Sequence, residues 1–236
     1  MIFQSLTINS NCLNTGNIIT ANEYGLIDNL LKGDTCLNEV EVRCCRLLFL
    51  MGFKLGLRFD DAVGLKFSDF DMKNAVLSVK SNDYRRVKTP DSNRAIFFGA
   101  ILNAEEIELL QNQWDYIEKS NDNILFFKTT LSECSNDDFE HSLTILLDRV
   151  VEAIRCVTGD ESLSFHDLRG SFASSVFMLL IYSEEHPYGD ELLRSWFGNK
   201  VLEKSKKLRL NLTGKEEIST KVLPALSSIC FTRNSF

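Results

Sequence analysis

Apolar residues at helical spacing are the feature that most constrains the fold of this chain. Between Phe139 and Ile154 apolar side chains recur every three or four residues, and Gly159 follows where a helix C-cap is expected. The same periodicity predicts helices over residues 20–31 and 39–54. The second of these is apolar on most sides, so we expect it to be central. A chain with this pattern predicts a mainly helical core.

Capping patterns and β-prone runs in the sequence predict the remaining elements of the fold. Asn103 followed by Glu106 is a capping-box pattern, and it predicts a helix that runs toward Lys119. Residues 75–79 and 95–98 are short β-prone runs separated by a polar segment, which predicts a hairpin with a long connection. Residues 123–127 fit either a short third strand or a buried extended segment. The expected fold is mainly α with a small antiparallel β-sheet (α+β).

Length and composition indicate an ordinary globular chain. Its 236 residues are 44% hydrophobic and 25% charged, which excludes intrinsic disorder. Three prolines and no linker-like stretch favour one domain over residues 1–236, with two tightly joined lobes as the alternative. The apolar runs at residues 47–53 and 176–182 are far short of the roughly 20 residues that a membrane helix needs. With no secretory signal at the start, we expect a cytoplasmic protein that has no membrane partner.

Cysteine usage argues against both a disulfide framework and a metal site. The seven cysteines are an odd number, without a Cys-x-x-Cys pair or a histidine at zinc spacing. We therefore expect reduced, mostly buried thiols and no metal or other cofactor.

The charge of the chain is acidic overall but uneven. A formal net charge of −7 counts against a protein whose whole surface holds nucleic acid, because phosphate binding depends on Lys and Arg. Residues 80–94 nevertheless carry five basic against two acidic side chains, and residues 194–215 carry seven against one. These runs are either ordinary solvated faces or a basic face that holds DNA. The candidate DNA contacts are Arg85, Arg86, Arg94, Lys204, Lys206 and Lys207.

The first cluster of reactive side chains is Arg58 with Asp61, directly after the predicted central helix. By spacing alone it fits a helix-surface ion pair, worth only about 0.2–0.5 kcal/mol. The second cluster is His166 with Arg169, at the start of an apolar helix that continues to Leu180. A helix N-terminus favours an anion, and Arg with His suits a phosphate. The alternative is that His166 caps its own helix and Arg169 pairs with an acid elsewhere.

Taken together, the two clusters resemble those of the tyrosine recombinases, also called phage integrases. The family's first box is Gly-Leu-Arg-x-x-Glu, and it is matched by Gly56, Leu57, Arg58 and Asp61, with Asp in the place of Glu. Residues 65–71 resemble the family's following Leu-x-Trp-x-Asp-hydrophobic segment, and Lys88 best matches the lysine of its hairpin.

The second box is the most specific part of this resemblance, which spans roughly residues 20–230. The family pattern is His-x-Leu-Arg-His-Thr-Phe-Ala. It is matched by His166, Leu168, Arg169, Phe172 and Ala173, while Gly170 replaces the second His and Ser171 replaces the Thr.

The resemblance implies a fold like that of a tyrosine-recombinase catalytic domain and a role for each matched residue. Arg58 and Arg169 would stabilise the charge that grows on a DNA phosphate when a tyrosine attacks it. His166 would assist proton transfer from the nucleophile, and Lys88 would protonate the departing 5′ oxygen. Asp61 would support the site.

The family's last two elements have no clear match here. The tyrosines are Tyr24, Tyr84, Tyr116, Tyr182 and Tyr188, and the last two follow Arg169 so closely that structural roles are favoured. The Trp-Phe-Gly-Asn of residues 196–199 is superficially similar to the family's Leu-Gly-His segment. Residues 221–230 look like the helix that leads to Gly-His and the nucleophile in longer recombinases, and residues 231–236 form a divergent or truncated tail. The nucleophile is therefore unknown, which suits a shortened chain, a frameshift or loss of cleavage.

We expect residues 1–19 to be an N-terminal extension, too short for the family's separate core-binding domain.

Three hypotheses for function follow from this pattern. The first hypothesis is a site-specific recombinase of a mobile element, incomplete as it stands, which acts on double-stranded DNA in the cytoplasm at the nucleoid. The second is a catalytically inactive DNA-binding or regulatory remnant that self-associates or pairs with a full-length recombinase. The third is a protein-interaction remnant that no longer binds DNA.

Overall fold

The structure, a computed structural model, describes residues 18–82, 93–118, 125–127, 136–185 and 189–218, together with residues 221, 222, 224 and 226. In these ranges the chain is mostly helical with a small antiparallel sheet, which confirms the predicted fold class. The helices are α1 (Ala21–Lys32), α2 (Glu39–Leu55), α3 (Phe59–Val63), α4 (Ala104–Glu118), α5 (Asn136–Thr158), α6 (Leu168–Ile181), α7 (Asp190–Phe197) and α8 (Val201–Thr213). The strands are β1 (Phe70–Asp71), β2 (Val76–Val79) and β3 (Arg94–Ile96).

The centre of the core is α2. All of its residues from Leu47 to Leu55 are buried, and it packs against α1, α4, α5 and α6. The prediction of a central helix is therefore confirmed. The described helices share one hydrophobic core that runs from Ile19 to Val222. Burial of each large apolar side chain contributes about 1.5–3 kcal/mol.

Helix boundaries follow from local chemistry that the sequence displays. The predicted box at the start of α4 is formed: the Asn103 amide donates to Glu106 Oε2 at 2.7 Å, and the Glu106 amide donates to Asn103 Oδ1 at 2.9 Å. Gly159 ends α5 with a φ of 70°, as its predicted C-cap position requires.

The sheet has the order β1-β2-β3 and is antiparallel throughout. The predicted hairpin is confirmed, with Leu77 opposite Ile96. The third strand is the two-residue β1, and the described part of residues 123–127 does not join this sheet. Instead, Leu125 forms an isolated bridge to Lys66, and the Phe126 amide donates to the Leu65 carbonyl at 2.7 Å. Residues 125–127 are buried, as the second alternative predicts, but only Leu125 forms an extended bridge and the two residues after it lie in a turn.

The cysteines are less buried than expected. Cys44 and Cys45 are buried, whereas Cys36 and Cys156 are exposed, and none of these four forms a disulfide. The prediction of mostly buried thiols is therefore only half right over the described part of the chain. Among the described helices, none combines the length and the apolar character that crossing a bilayer requires.

Candidate phosphate-binding site

The site begins where α2 ends. Gly56 terminates the helix with a left-handed backbone (φ 62°), and the Leu57 amide returns to the Met51 carbonyl at 3.0 Å. A Cβ on Gly56 would overlap the ring of Phe172 in α6. Glycine is needed here both for the positive φ and for the close approach of α6.

Arg58 follows this turn at the N-cap position of α3. Its backbone is extended (φ −73°, ψ 160°), and its amide lies 3.4 Å from Asp61 Oδ2. The side chain is half-buried, and it makes no hydrogen bond or ion pair with any residue that the structure describes. A planar guanidinium in this setting can bind a phosphate through two of its oxygens.

Asp61 pairs with Arg94, not with Arg58. Arg94 Nη2 lies 3.0 Å from Asp61 Oδ2, and the two side chains are only 6% and 7% exposed. Arg94 is one of the residues predicted from the sequence to contact DNA, whereas the structure places its guanidinium inside this ion pair. Asp61 therefore joins the start of β3 to α3 beside Arg58, because both Arg94 and the Arg58 amide share its Oδ2.

The second cluster lies in a short 3-10 helix, Phe165–Asp167, that leads directly into α6. Asp167 Oδ2 accepts from the Ser164 amide at 2.9 Å and from the Ser164 hydroxyl at 2.7 Å, so Asp167 forms the local cap and His166 does not. His166 is exposed and makes no hydrogen bond within the described residues.

Arg169 connects the two clusters. Its Nη1 donates a hydrogen bond to the carbonyl oxygen of Gly56, two residues before Arg58. A second contact lies close by: the rings of Phe59 and Phe165 meet edge to face with centroids 5.9 Å apart. The residue after Arg58 thus touches the residue before His166. The fold brings Arg58, His166 and Arg169 to one end of α2.

Lys88, Arg85 and Arg86 lie outside the described residues. Both flanks of the connection that carries them are nevertheless fixed to α3 and the residue after it. On one flank Asn82 Nδ2 donates to the Gly64 carbonyl at 2.8 Å, and on the other Arg94 pairs with Asp61. The connection therefore starts and ends beside the short helix that Arg58 caps.

The predicted basic residues of α8 have three different surroundings. Lys204 Nζ donates to the carbonyl oxygens of Leu102 and Ile101, at 2.6 and 3.4 Å, and burial lowers its pKa to about 8. Lys206 Nζ lies 4.0 Å from Glu184. Lys207 is exposed and can meet a ligand in solvent.

Two further residues, Lys54 and Tyr182, make polar contacts between helices. Lys54 is buried in the last turn of α2, and the only sequence signal for it was a lysine within an apolar run. Tyr182, at the end of α6, donates its hydroxyl to Asp190 Oδ1, and this hydrogen bond raises the pKa of the Tyr182 phenol. That contact agrees with the structural role predicted for Tyr182. In the described part of the chain, no group of His, Cys, Asp and Glu is arranged to hold a metal ion.

The chain resembles known proteins over a segment that contains both clusters. Residues 27–177 match the model of the phage integrase family, a segment that includes both clusters. A search of curated proteins found no match. Among solved structures, the chain is similar to the crystal structure of XerA recombinase, with 15% identity and a TM-score of 0.46 over 90% of this chain. The chain spans 62% of the length of that structure.

Proposed function

The chain belongs to the phage integrase family, and on that premise we propose that it binds double-stranded DNA and holds one backbone phosphate between Arg58 and Arg169. The reaction that this arrangement would serve is strand breakage and rejoining through a phosphotyrosine intermediate.

One observation carries the proposal: the hydrogen bond from Arg169 to the Gly56 carbonyl. It joins α6 to the residue that lies two positions before Arg58. Two guanidiniums then lie at one end of one helix, and a guanidinium can bind two oxygens of a phosphate in its plane. Repulsion between two such cations favours an anion between them, and a phosphodiester is the anion that DNA supplies.

The residue types suit phosphoryl transfer without a metal. As a tyrosine oxygen attacks phosphorus, negative charge grows on the two non-bridging oxygens, where Arg58 and Arg169 would stabilise it. The bond from phosphorus to the 5′ oxygen then breaks. Lys88 would give that oxygen a proton, and His166, exposed at the mouth of the site, would take the proton of the attacking tyrosine.

The tyrosine itself would come from a second, tyrosine-bearing recombinase subunit. The Tyr182 hydroxyl is already hydrogen-bonded to Asp190, and its raised pKa opposes formation of the phenolate that attacks phosphorus. This observation also favours a second candidate function. In that alternative the chain occupies DNA sites or pairs with a complete recombinase and does not cut.

Binding is tested by titrating short duplex DNA at several salt concentrations with the wild type and with Arg169→Ala. The wild type should bind with an affinity that falls steeply as salt rises. Arg169→Ala should lose about tenfold or more, because a hydrogen bond to a charged group contributes ~1.5–3 kcal/mol. Arg149→Ala is the matched control, since Arg149 forms an exposed pair with Glu152 on α5. Equal affinity of Arg169→Ala and the wild type would contradict the proposed site.

Cleavage is tested with a nicked suicide substrate, in the presence and absence of a tyrosine-bearing recombinase. A covalent adduct that depends on Arg58 and Arg169 of this chain supports the enzymatic proposal. DNA binding without any adduct in either mixture supports the non-cutting alternative.

A further inference from the structure

Lys54 is buried four residues before Arg58, in the last turn of α2. The residue is only 4% exposed. Its Nζ lies 3.3 Å from Glu106 Oε1 in α4 and donates to the carbonyl oxygen of Trp196 in α7. Three aromatic rings surround the ammonium, with centroids at 4.9 Å for Tyr24, 5.4 Å for Phe197 and 5.9 Å for Phe53.

These contacts explain how the charge is tolerated. A buried ammonium is unfavourable unless it is paired and hydrogen-bonded. Glu106 supplies the opposite charge, the Trp196 carbonyl supplies an acceptor, and the rings supply cation–π contacts. Because α1, α4 and α7 each contribute a partner, the Lys54 ammonium is held from three helices.

The same turn of α2 also holds α6. Lys54 binds the end of α7 through its side chain, and Gly56 binds Arg169 of α6 through its carbonyl oxygen. Only Leu55 separates the two residues. A displacement of this turn would therefore move the acceptor of Arg169 and the backbone that leads into Arg58 together.

We infer that Lys54 is a positioning residue, which fixes the turn at Gly56 and through it the relative placement of Arg58 and Arg169. The inference rests on the proposed function and deepens it. Through Lys54, α4 and α7 would be linked to the phosphate site although neither supplies one of its arginines.

Positioning can be separated from stability, because a buried ion pair is weak evidence for stability. Replacing both members of such a pair by neutral groups of similar size is often neutral or stabilising. The double variant Lys54→Met with Glu106→Gln does this with little change in volume. Gln at this position can still accept from the Asn103 amide, so the capping box of α4 remains.

The experiment is a double-mutant cycle for duplex DNA affinity. The charge-free double variant should lose about tenfold in affinity, the effect of ~1.4 kcal/mol, while its urea midpoint falls only by the effect of leaving the Trp196 carbonyl oxygen without its donor. In the Arg169→Ala background the same double variant should lose less further affinity than it does in the wild type, because the part of its effect that acts through Arg169 is already absent. Lys54→Met alone should also bind DNA more weakly than the wild type. Lys54→Arg retains the charge and should keep most of the affinity that Lys54→Met loses.

A control pair tests whether any ion pair of α2 has the same effect. Arg46, earlier in α2, pairs with Asp28 of α1 at 2.8 Å, and both are partly exposed. Arg46→Met with Asp28→Asn should leave DNA affinity unchanged.

Each outcome bears on one proposal. If Arg169→Ala itself binds as the wild type does, the proposed phosphate site is wrong. If Arg169→Ala weakens binding but the charge-free double variant does not, the role of Lys54 is wrong. An undiminished effect in the Arg169→Ala background likewise overturns it. Should the double variant fail to fold, Glu106→Gln alone is tested, and wild-type affinity for that variant overturns the inference.

Discussion

The Arg169 guanidinium donates to the Gly56 carbonyl oxygen, a contact that joins residues 113 positions apart in the sequence. Arg169 is therefore anchored to the backbone of the turn that it faces. Arg58, on the other side of that turn, makes no side-chain hydrogen bond or ion pair within the described ranges. Within the described residues the two arginines of the proposed site are thus unequal: the Arg169 side chain contacts the fold, whereas Arg58 is held through its backbone.

This inequality predicts different effects for two alanine substitutions. Arg58→Ala should weaken DNA binding and change the free energy of unfolding by less than about 1 kcal/mol, as exposed or half-exposed substitutions usually do. Arg169→Ala should weaken binding and also destabilise the fold by about 1–2 kcal/mol, because the Gly56 carbonyl loses its donor. Urea unfolding and DNA titration of both variants measure the two effects. Equal losses of stability would contradict the asymmetry.

The turn at Gly56 predicts a severe effect for Gly56→Ala. The positive φ disfavours a Cβ by about 1–2 kcal/mol, and the clash with the Phe172 ring adds roughly 1–3 kcal/mol. Gly159→Ala is the matched control, since Gly159 has φ 70° and nothing within 4 Å of an added Cβ. Its loss should be confined to the backbone contribution. Denaturant midpoints that are equal for the two variants would show that Phe172 does not pack against the turn.

The buried pair of Asp61 and Arg94 predicts a large effect for Asp61→Asn. Breaking one partner of a buried ion pair leaves an uncompensated charge, which typically destabilises by about 3–5 kcal/mol. The double variant Asp61→Asn with Arg94→Met should recover part of this loss, because it removes the unpaired guanidinium. Urea unfolding of the single and double variants measures the coupling. Additive losses would mean that the two side chains do not interact.

Much of the fold could be predicted because its signals are local. The apolar residues that set the helical period of α5 lie within a few positions of one another in the sequence. The same is true of the members of the capping box at Asn103. By contrast, β1 is only two residues long, so it leaves no alternating pattern in the sequence. Residues 125–127 are β-prone and buried, but Leu125 bridges to Lys66, and Phe126 bonds to Leu65 and to the Gln113 side chain instead of to the sheet. Tertiary pairing of this kind cannot be read from periodicity.

The candidate site shows the same division between local and tertiary signals. The order of Arg58, His166 and Arg169 indicated a common site through resemblance to a family. The partner of Asp61, however, lies 33 positions away in β3, and no local spacing distinguishes Arg94 from its basic neighbours. Lys54 was missed for a similar reason, because its partners Glu106 and Trp196 belong to other helices. The resemblance to a family predicted which side chains are reactive, and packing determines which of those side chains are buried in the interior.

Lys204 predicts a pH dependence of stability. Burial lowers its pKa to about 8 in the folded chain, below the ordinary lysine value of 10.5. Between these values the unfolded chain binds more protons than the folded chain, so the contribution of Lys204 to stability rises with pH from about 8 to 10.5. The unfolding free energy of the wild type minus that of Lys204→Met should therefore increase as the pH rises over that interval. A flat difference would contradict the burial of Lys204, and Lys207→Met, on the exposed side of α8, is the control.

The hydrogen bond from Tyr182 to Asp190 predicts that the Tyr182 hydroxyl stabilises the fold and takes no part in the reaction. Tyr182→Phe keeps the ring in place at the end of α6 and removes only the hydrogen bond to Asp190. We expect a loss of about 1 kcal/mol in unfolding free energy, the usual contribution of one hydrogen bond, with DNA affinity unchanged. We also expect the yield of covalent adduct with a tyrosine-bearing partner to equal that of the wild type, because in the proposed reaction the attacking oxygen belongs to the partner. If this chain alone forms an adduct with the suicide substrate and Tyr182→Phe abolishes it, Tyr182 is the nucleophile, and its bond to Asp190 must break before attack.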